Sequence, residues 1–124
     1  MNGFEVARAD NGEITVLRLK GYLDAHTASD LEAALQKLID ENRVKIVVNF
    51  KELTYISSAG LGVFMGFIEE VRTGGGDIKL TSMNQKIYRV FDLLGFPTLF
   101  DIREDEASVL ANFSPAGKAG SKSR

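Results

Sequence analysis

The sequence predicts an α/β fold: a small mixed, largely parallel β-sheet of about five strands with four helices packed on it. Three observations carry this. FEVARA and EITVLRL alternate apolar with polar residues, and Asp10-Asn11-Gly12 between them supplies the positive φ angles of a tight hairpin turn. The β-branched run Ile46, Val47 and Val48 suits a buried strand better than a helix. Beyond residue 44, strand-like and helix-like segments alternate, which implies right-handed βαβ crossovers and parallel pairing.

In chain order, the hairpin runs from Phe4 to Lys20, and Gly21-Tyr22-Leu23-Asp24 ends its second strand. Asp24 stands as the cap of a helix whose Ala28, Leu31, Leu35 and Leu38 form an apolar stripe, with Asp30, Glu32, Gln36 and Lys37 largely opposite. The central stretch, Lys45 to Thr73, passes from the Ile46–Val48 strand to a helix in which Leu61, Phe64, Ile68 and Val71 share one face. Gly74-Gly75-Gly76 stops that helix, since glycine takes the left-handed conformation that closes one. DIKLTS is the next strand. Asn84 caps a further helix with Ile87, Val90, Phe91 and Leu94 on its inner face, ended by Gly95 and Pro97. A short strand near Leu99 to Ile102 and a last helix from about Glu104 to Phe113, using Ala107, Leu110 and Phe113, complete a single domain over residues 1–113. Residues 114–124, SPAGKAGSKSR, hold three basic residues and no apolar anchor and read as a disordered basic tail.

Composition narrows the function. A chain of 124 residues, 44% hydrophobic and 26% charged, is long enough to bury a core without disulfides or metal. A net charge of −2 without a basic cluster argues against direct nucleic-acid binding. There is no cysteine to act as a nucleophile. Glu5, Arg8 and Asp10 interrupt any signal-peptide core, and no stretch approaches the ~20 apolar residues of a membrane span, so a cytoplasmic location is expected.

Catalysis finds no footing. The one histidine, His26, sits in the first predicted helix, with no serine-histidine triad or nucleophile-elbow pattern around it. One histidine and scattered carboxylates lack metal-ligand spacing, so neither a metal nor a cofactor is expected. Gly60, Gly62 and Gly66 match neither GxGxxG nor a phosphate loop, and read as close helix–strand packing plus a tight turn. Gly62 and Gly66, four apart, would also leave a smooth strip where another protein could approach.

The informative segment is Tyr55-Ile56-Ser57-Ser58-Ala59-Gly60-Leu61-Gly62, where a hydroxyl residue stands at the start of a helix. The first helical N–H groups lack intrahelical partners, and the side-chain oxygen of Ser57 or Ser58 can accept from one as an N-cap. The same N–H groups and the positive end of the helix dipole also stabilise a phosphate, so a phosphoserine could form here without melting the fold. Such a charge would act on a docked partner.

The order of GYLDAHTA, KIVVNFKELTYISSAGLG, the glycine run after the helix and IYRVFDLLGF resembles the STAS domain of bacterial anti-sigma factor antagonists. The resemblance spans nearly all of residues 4 to 113, with Leu53 to Gly62 its most specific piece. It implies a non-enzymatic protein that binds an anti-sigma factor with serine kinase activity and a histidine-kinase-like ATPase fold. Phosphorylation of one serine ends the binding, and a PP2C-type phosphatase restores it. Aligned on Gly60-Leu61-Gly62, the family pattern Asp-Ser-Ser-Gly-Leu-Gly puts the phosphorylated serine at Ser58, the aspartate at Ser57 and the second serine at Ala59. Ser58 is therefore the expected site, Ser57 the runner-up and Thr54 a weaker third. The implied partner surface comprises Asp24, Tyr55, Ser57, Ser58, Gly60, Gly62, Met65 and Gly66, on a protein expected to be a monomer.

Two other readings compete. One is a STAS subunit of a lipid-transport ATPase or sensory scaffold, binding without phosphorylation, with Ser57 and Ser58 as plain caps. The other, a small-molecule module or enzyme, lacks a convergent set of polar or titratable groups.

Overall fold

The computed structural model describes residues 3–113, so the predicted tail at 114–124 lies outside the described residues. Strand β1 (Phe4–Asn11) pairs antiparallel with β2 (Ile14–Leu23), and the turn between them holds Gly12 at φ +63°. Helix α1 (Ala28–Asp40) leads to β3 (Lys45–Ile56), helix α2 (Ser58–Thr73) to β4 (Asp77–Thr81), and helix α3 (Gln85–Leu93) through a 3-10 turn (Phe96–Thr98) to β5 (Ile102–Arg103). Helix α4 (Glu106–Ala111) closes the described chain. The sheet order is β1-β2-β3-β4-β5, with every pair after the first parallel. This is the five-stranded mixed sheet with four helices that the sequence predicts.

Alternation along β3 assigns the layers, because successive side chains point to opposite faces. Ile46, Val48 and Phe50 join Leu31, Leu35 and Leu38 of α1, Leu61, Phe64, Ile68 and Val71 of α2, and Ile87 and Phe91 of α3 in one core. Val47 points the other way, with Val16, to meet Val109 of α4. Aromatic rings stitch the first core: Phe50 meets Phe91 edge-on at 5.4 Å, and Phe91 meets Phe96 at 5.2 Å. Such pairs add roughly 0.5–1.5 kcal/mol each beyond area burial.

Several boundaries differ from expectation. Asp24 does not cap α1; Thr27 occupies the N-cap position, without a side-chain cap bond. Asp24 instead caps the turn before the helix, its Oδ1 accepting from the backbone N–H of His26 at 2.9 Å and of Thr27 at 3.2 Å. His26 therefore lies in that turn, and outside the first helical turn. Leu94 leaves the core, at 57% exposed, because α3 ends at Leu93 and Gly95 turns the chain away at φ +78°. Leu99 is also exposed, and β5 starts only at Ile102, since the 3-10 turn around Pro97 occupies the intervening residues. The last helix is shorter than predicted: Asp105 caps it by accepting from Ser108 N–H at 2.8 Å, and Val109, not Ala107, is its buried residue.

The largest departure sets up the site. β3 runs 12 residues to Ile56, so the expected loop shrinks to Ser57 alone. Along β3, β4 pairs only with Lys45 to Asn49, leaving the second half of β3 to pair with β2 alone, as far as Leu23↔Ile56. Two register shifts let that ladder continue, between Arg18 and Lys20 and between Gly21 and Tyr22. Gly21 at φ +95° allows the second: a Cβ there would run into the Gly3 carbonyl, and the next N–H, of Tyr22, donates to that carbonyl at 2.6 Å. The result is a projection of β1, β2 and β3 beyond β4 that narrows at its tip to a two-stranded parallel tongue, Tyr22 and Leu23 against Tyr55 and Ile56.

Candidate partner-binding site

The tip of that tongue brings together the ends of β2 and β3 and the start of α2. Ser57 is the N-cap residue, with extended backbone at φ −107° and ψ 173°. Its N–H donates to the Leu23 carbonyl at 2.9 Å and its carbonyl accepts from Leu61 N–H at 3.1 Å, so the backbone is fixed from both sides. The side chain is not used: Ser57 Oγ is buried with no hydrogen-bond partner among the described residues, and α2 has no side-chain cap bond and no acidic residue in its first turn. The expectation that Ser57 or Ser58 caps the helix through its hydroxyl is thus corrected. Ser58, the first helical residue, is exposed.

The remaining predicted surface residues fall on two sides. Ser58, Gly62, Met65 and Gly66 are all exposed, as is Glu69 further along α2. Their spacing of three and four places them on one face. A Cβ on Gly62 or Gly66 would meet nothing within 4 Å, so these two are not the packing glycines that the sequence suggested. Gly60 is. It is buried, and a Cβ there would lie 2.7 Å from Leu23 Cγ, so its absence of side chain serves the contact between α2 and β2 and it offers a partner no direct surface.

Tyr55, two residues before Ser57, is 50% exposed, and its cross-strand neighbour Tyr22 is 56% exposed. The rings meet edge-on at 6.3 Å. Together with Asp24 and Thr54 they line one depression. Thr54 Oγ1 donates to the Gly21 carbonyl at 3.2 Å, which holds that wall in place and engages the hydroxyl considered for modification. The Asp24 carboxyl is held below the usual carboxylate range: partial burial works against this, but the N–H groups of His26 and Thr27 and the Thr27 hydroxyl outweigh it. Tyr22 escaped the sequence reading, which assigned Gly21 to Asp24 to a strand end. Its signal was the pairing of two Gly/Thr-flanked tyrosines across β2 and β3, visible only once the register shift is known.

The described residues hold no group of three His, Asp or Glu side chains placed to bind a metal ion, and no helix long and apolar enough to cross a membrane.

The STAS domain family model matches residues 5–109. The chain belongs to the STAS domain family. Among its relatives is the anti-sigma-B factor antagonist of Bacillus subtilis, 30% identical over 86 residues, covering 69% of this STAS chain and 78% of the relative. The anti-sigma-B factor antagonist of Listeria monocytogenes is 25% identical over 108 residues, 87% of this chain and 94% of its own. In three dimensions the chain superposes on an anti-sigma factor antagonist from Mycobacterium paratuberculosis with a TM-score of 0.80 at 18% identity, covering 87% of this chain and 92% of that one. That last likeness concerns the fold.

Proposed function

We propose that this STAS protein is an anti-sigma factor antagonist, a binding protein rather than an enzyme, switched by phosphorylation of Ser58. One observation carries the choice of residue. Ser58 is exposed at the first position of a 16-residue helix, whereas the Ser57 hydroxyl is buried, so a kinase reaches the first directly and the second only after the strand-to-helix junction opens. The names of the relatives support the function, and the exposed face of α2 supplies a surface on which an anti-sigma factor with kinase activity can dock.

The switch follows from electrostatics. A phosphate adds about −1.5 to −2 charges at neutral pH. At the helix start it is tolerated, because the dipole and unpaired N–H groups favour an anion there. Inside the docked interface, an unmatched charge costs several kcal/mol. A cost of ~3 kcal/mol lowers affinity about a hundredfold, enough to release the partner without altering the fold. A PP2C-type phosphatase would reset it.

The test uses the purified chain as bait in a lysate of its host, with and without ATP. Capture of a histidine-kinase-like ATPase, lost when ATP places phosphate on Ser58 and retained by Ser58→Ala, is the expected result. Phosphotransfer undiminished in Ser58→Ala would move the site to Ser57. Capture of transporter or scaffold subunits indifferent to ATP would replace the switch with a permanent STAS subunit.

A further inference from the structure

Strand β1 forms one edge of the sheet, and that edge is unguarded. It pairs residue for residue with β2 from Phe4 to Asn11, without a bulge or a proline, and no described residue pairs with its other side. The two-residue loop at Gly12 and Glu13 makes Asn11 and Ile14 a pair that exchanges both backbone hydrogen bonds, and every second pair along the ladder does the same. The bond from Tyr22 N–H to Gly3 O at 2.6 Å keeps that parity to the far end. The backbone groups of Phe4, Val6, Arg8 and Asp10 therefore point away from β2. Natural edges are commonly protected by a projecting charge or a bulge. Here Arg8, the cation in the middle of the strand, is drawn aside by its own chain, to Asp10 at 2.9 Å and to Glu41 at 2.7 Å. A groove of about 440 Å³ runs between β1 and α1, with Phe4, Val6, Leu17, Ala33 and Ala34 in its lining.

We propose that the occupant of this edge is β1 of a second copy, added antiparallel about a two-fold axis at Ala7. Two features of the chain complement themselves under that axis. The first is the strand. With Ala7 opposite Ala7 of the second copy, Val6 faces Arg8, Phe4 faces Asp10 and Glu5 faces Ala9, so the ladder covers Phe4 to Asp10 and no like charges meet. Moving the register by two residues one way sets Arg8 against Arg8, and moving it the other way shortens the ladder. The second feature is α1, which crosses back between the parallel strands β2 and β3 and so runs in the direction of β1. Asp30, Ala33 and Lys37, all exposed, line the groove beside β1, with an acid at one end, a base at the other and a small residue between. The same axis turns the second α1 end for end, which sets Asp30 toward Lys37 and Ala33 toward Ala33. The other edge of the sheet offers no equivalent: β5 is two residues long. Pairing β1 with β1 therefore closes as a dimer and does not propagate as a filament. Helix α2 packs on β3 and β4, away from this edge, so both α2 faces of the dimer stay open and the pairing does not depend on the Ser58 switch. A contact of this size is weak, and the monomer expected from the sequence is its dilute state.

Sedimentation of the full chain at rising concentration tests the pairing. The average mass is expected to climb from the 13.6 kDa of one chain toward twice that value. Ala7→Glu sets two carboxylates face to face on the axis, yet lies opposite Arg18 within its own chain, so the fold accepts it. It should weaken dimerisation about tenfold or more, and an equimolar mixture with Ala7→Lys should restore it. Because the chain has no cysteine, single cysteines read the register. Ala7→Cys, with Cα atoms about 4.5 Å from each other across the axis, should cross-link under a mild oxidant. Ala9→Cys, with Cα atoms about 14 Å from each other, should not. Unchanged melting temperatures establish that the variants fold. A mass that stays at one chain up to the solubility limit would overturn the dimer. So would association indifferent to Ala7→Glu, or cross-linking of Ala9→Cys as fast as that of Ala7→Cys.

Discussion

Two polar regions of the same sheet treat their unpaired capacity in opposite ways. At the β4 edge the Lys79 side chain, 4% exposed, lies between Asp77 at 3.3 Å and Asp101 at 2.9 Å. Arg72 holds Asp77 at 2.9 Å, Arg103 pairs with Asp101, and the Phe113 ring stands 5.1 Å from the Lys79 ammonium. Each of these charges is answered. At the tip of the β2–β3 tongue, by contrast, a carboxylate oxygen and a buried serine hydroxyl have no partner among the described residues, and two tyrosine rings stand half exposed. Buried charge persists only when paired, so the first region reads as architecture. Open capacity in the second is what a partner or a modification can use.

The comparison breaks most severely at the edge. Lys79→Met keeps the side-chain bulk but leaves Asp77 and Asp101 short of a cation, and should cost about 3 kcal/mol in chemical denaturation. Partner capture should be unaffected. A penalty near zero would show that the network is not structural.

Gly60→Ala comes next. Its Cβ would press on the fully buried Leu23, and overpacking of this kind costs about 1–3 kcal/mol. Gly62→Ala, two positions on, has open space and should gain up to about 1 kcal/mol of stability. If the α2 face docks a partner, the same Gly62→Ala, or more strongly Gly62→Leu, should weaken capture. The pair separates a packing glycine from a surface glycine by opposite signs in one thermal melt.

Ser57→Ala removes a buried hydroxyl that bonds to no described residue, and should be neutral or stabilising by about 1 kcal/mol. Destabilisation would mean that the hydroxyl has a partner in solution.

The smallest effect is in acid. Burial tends to raise the Asp101 pKa, but the bonds from Arg103 and Lys79 outweigh it and hold it below the ordinary carboxylate value. Its contribution to stability is therefore present above about pH 3.9, the unfolded value, and disappears as pH falls through the lower folded one. Asp101→Asn should flatten the stability profile below about pH 4, measured by denaturation across pH, while changing little of its slope near neutrality.

Much of this was legible in the chain. Period-two and period-3.6 patterns identified all four helices and the hairpin, because each element buries one face. The cap at Asn84 was readable because its side chain accepts from Ile87 N–H at 2.8 Å, a purely local bond. What the pattern concealed was long-range. The extension of β3 to Ile56 depends on Leu53 and Ile56 pairing with β2 across a register shift, which no local window contains. For the same reason Tyr22 was passed over, and Gly60 could not be told from Gly62: one packs on Leu23, far back in the sequence, and the other on nothing. Leu94 misled because its spacing fits an inner face that the helix does not live long enough to complete.

The single hydrogen bond from Ser57 N–H to Leu23 O has a consequence in time as well as in space. The strands it joins are separated by all of α1, so the tip of the tongue exists only after β2 and β3 have found each other. During synthesis the tyrosines are paired and α2 is anchored only once both halves have emerged and docked. Under the proposed switch, a kinase that recognises the assembled tip would modify finished molecules and pass over nascent or unfolded ones, so that the count of phosphorylated chains would report on folded protein alone.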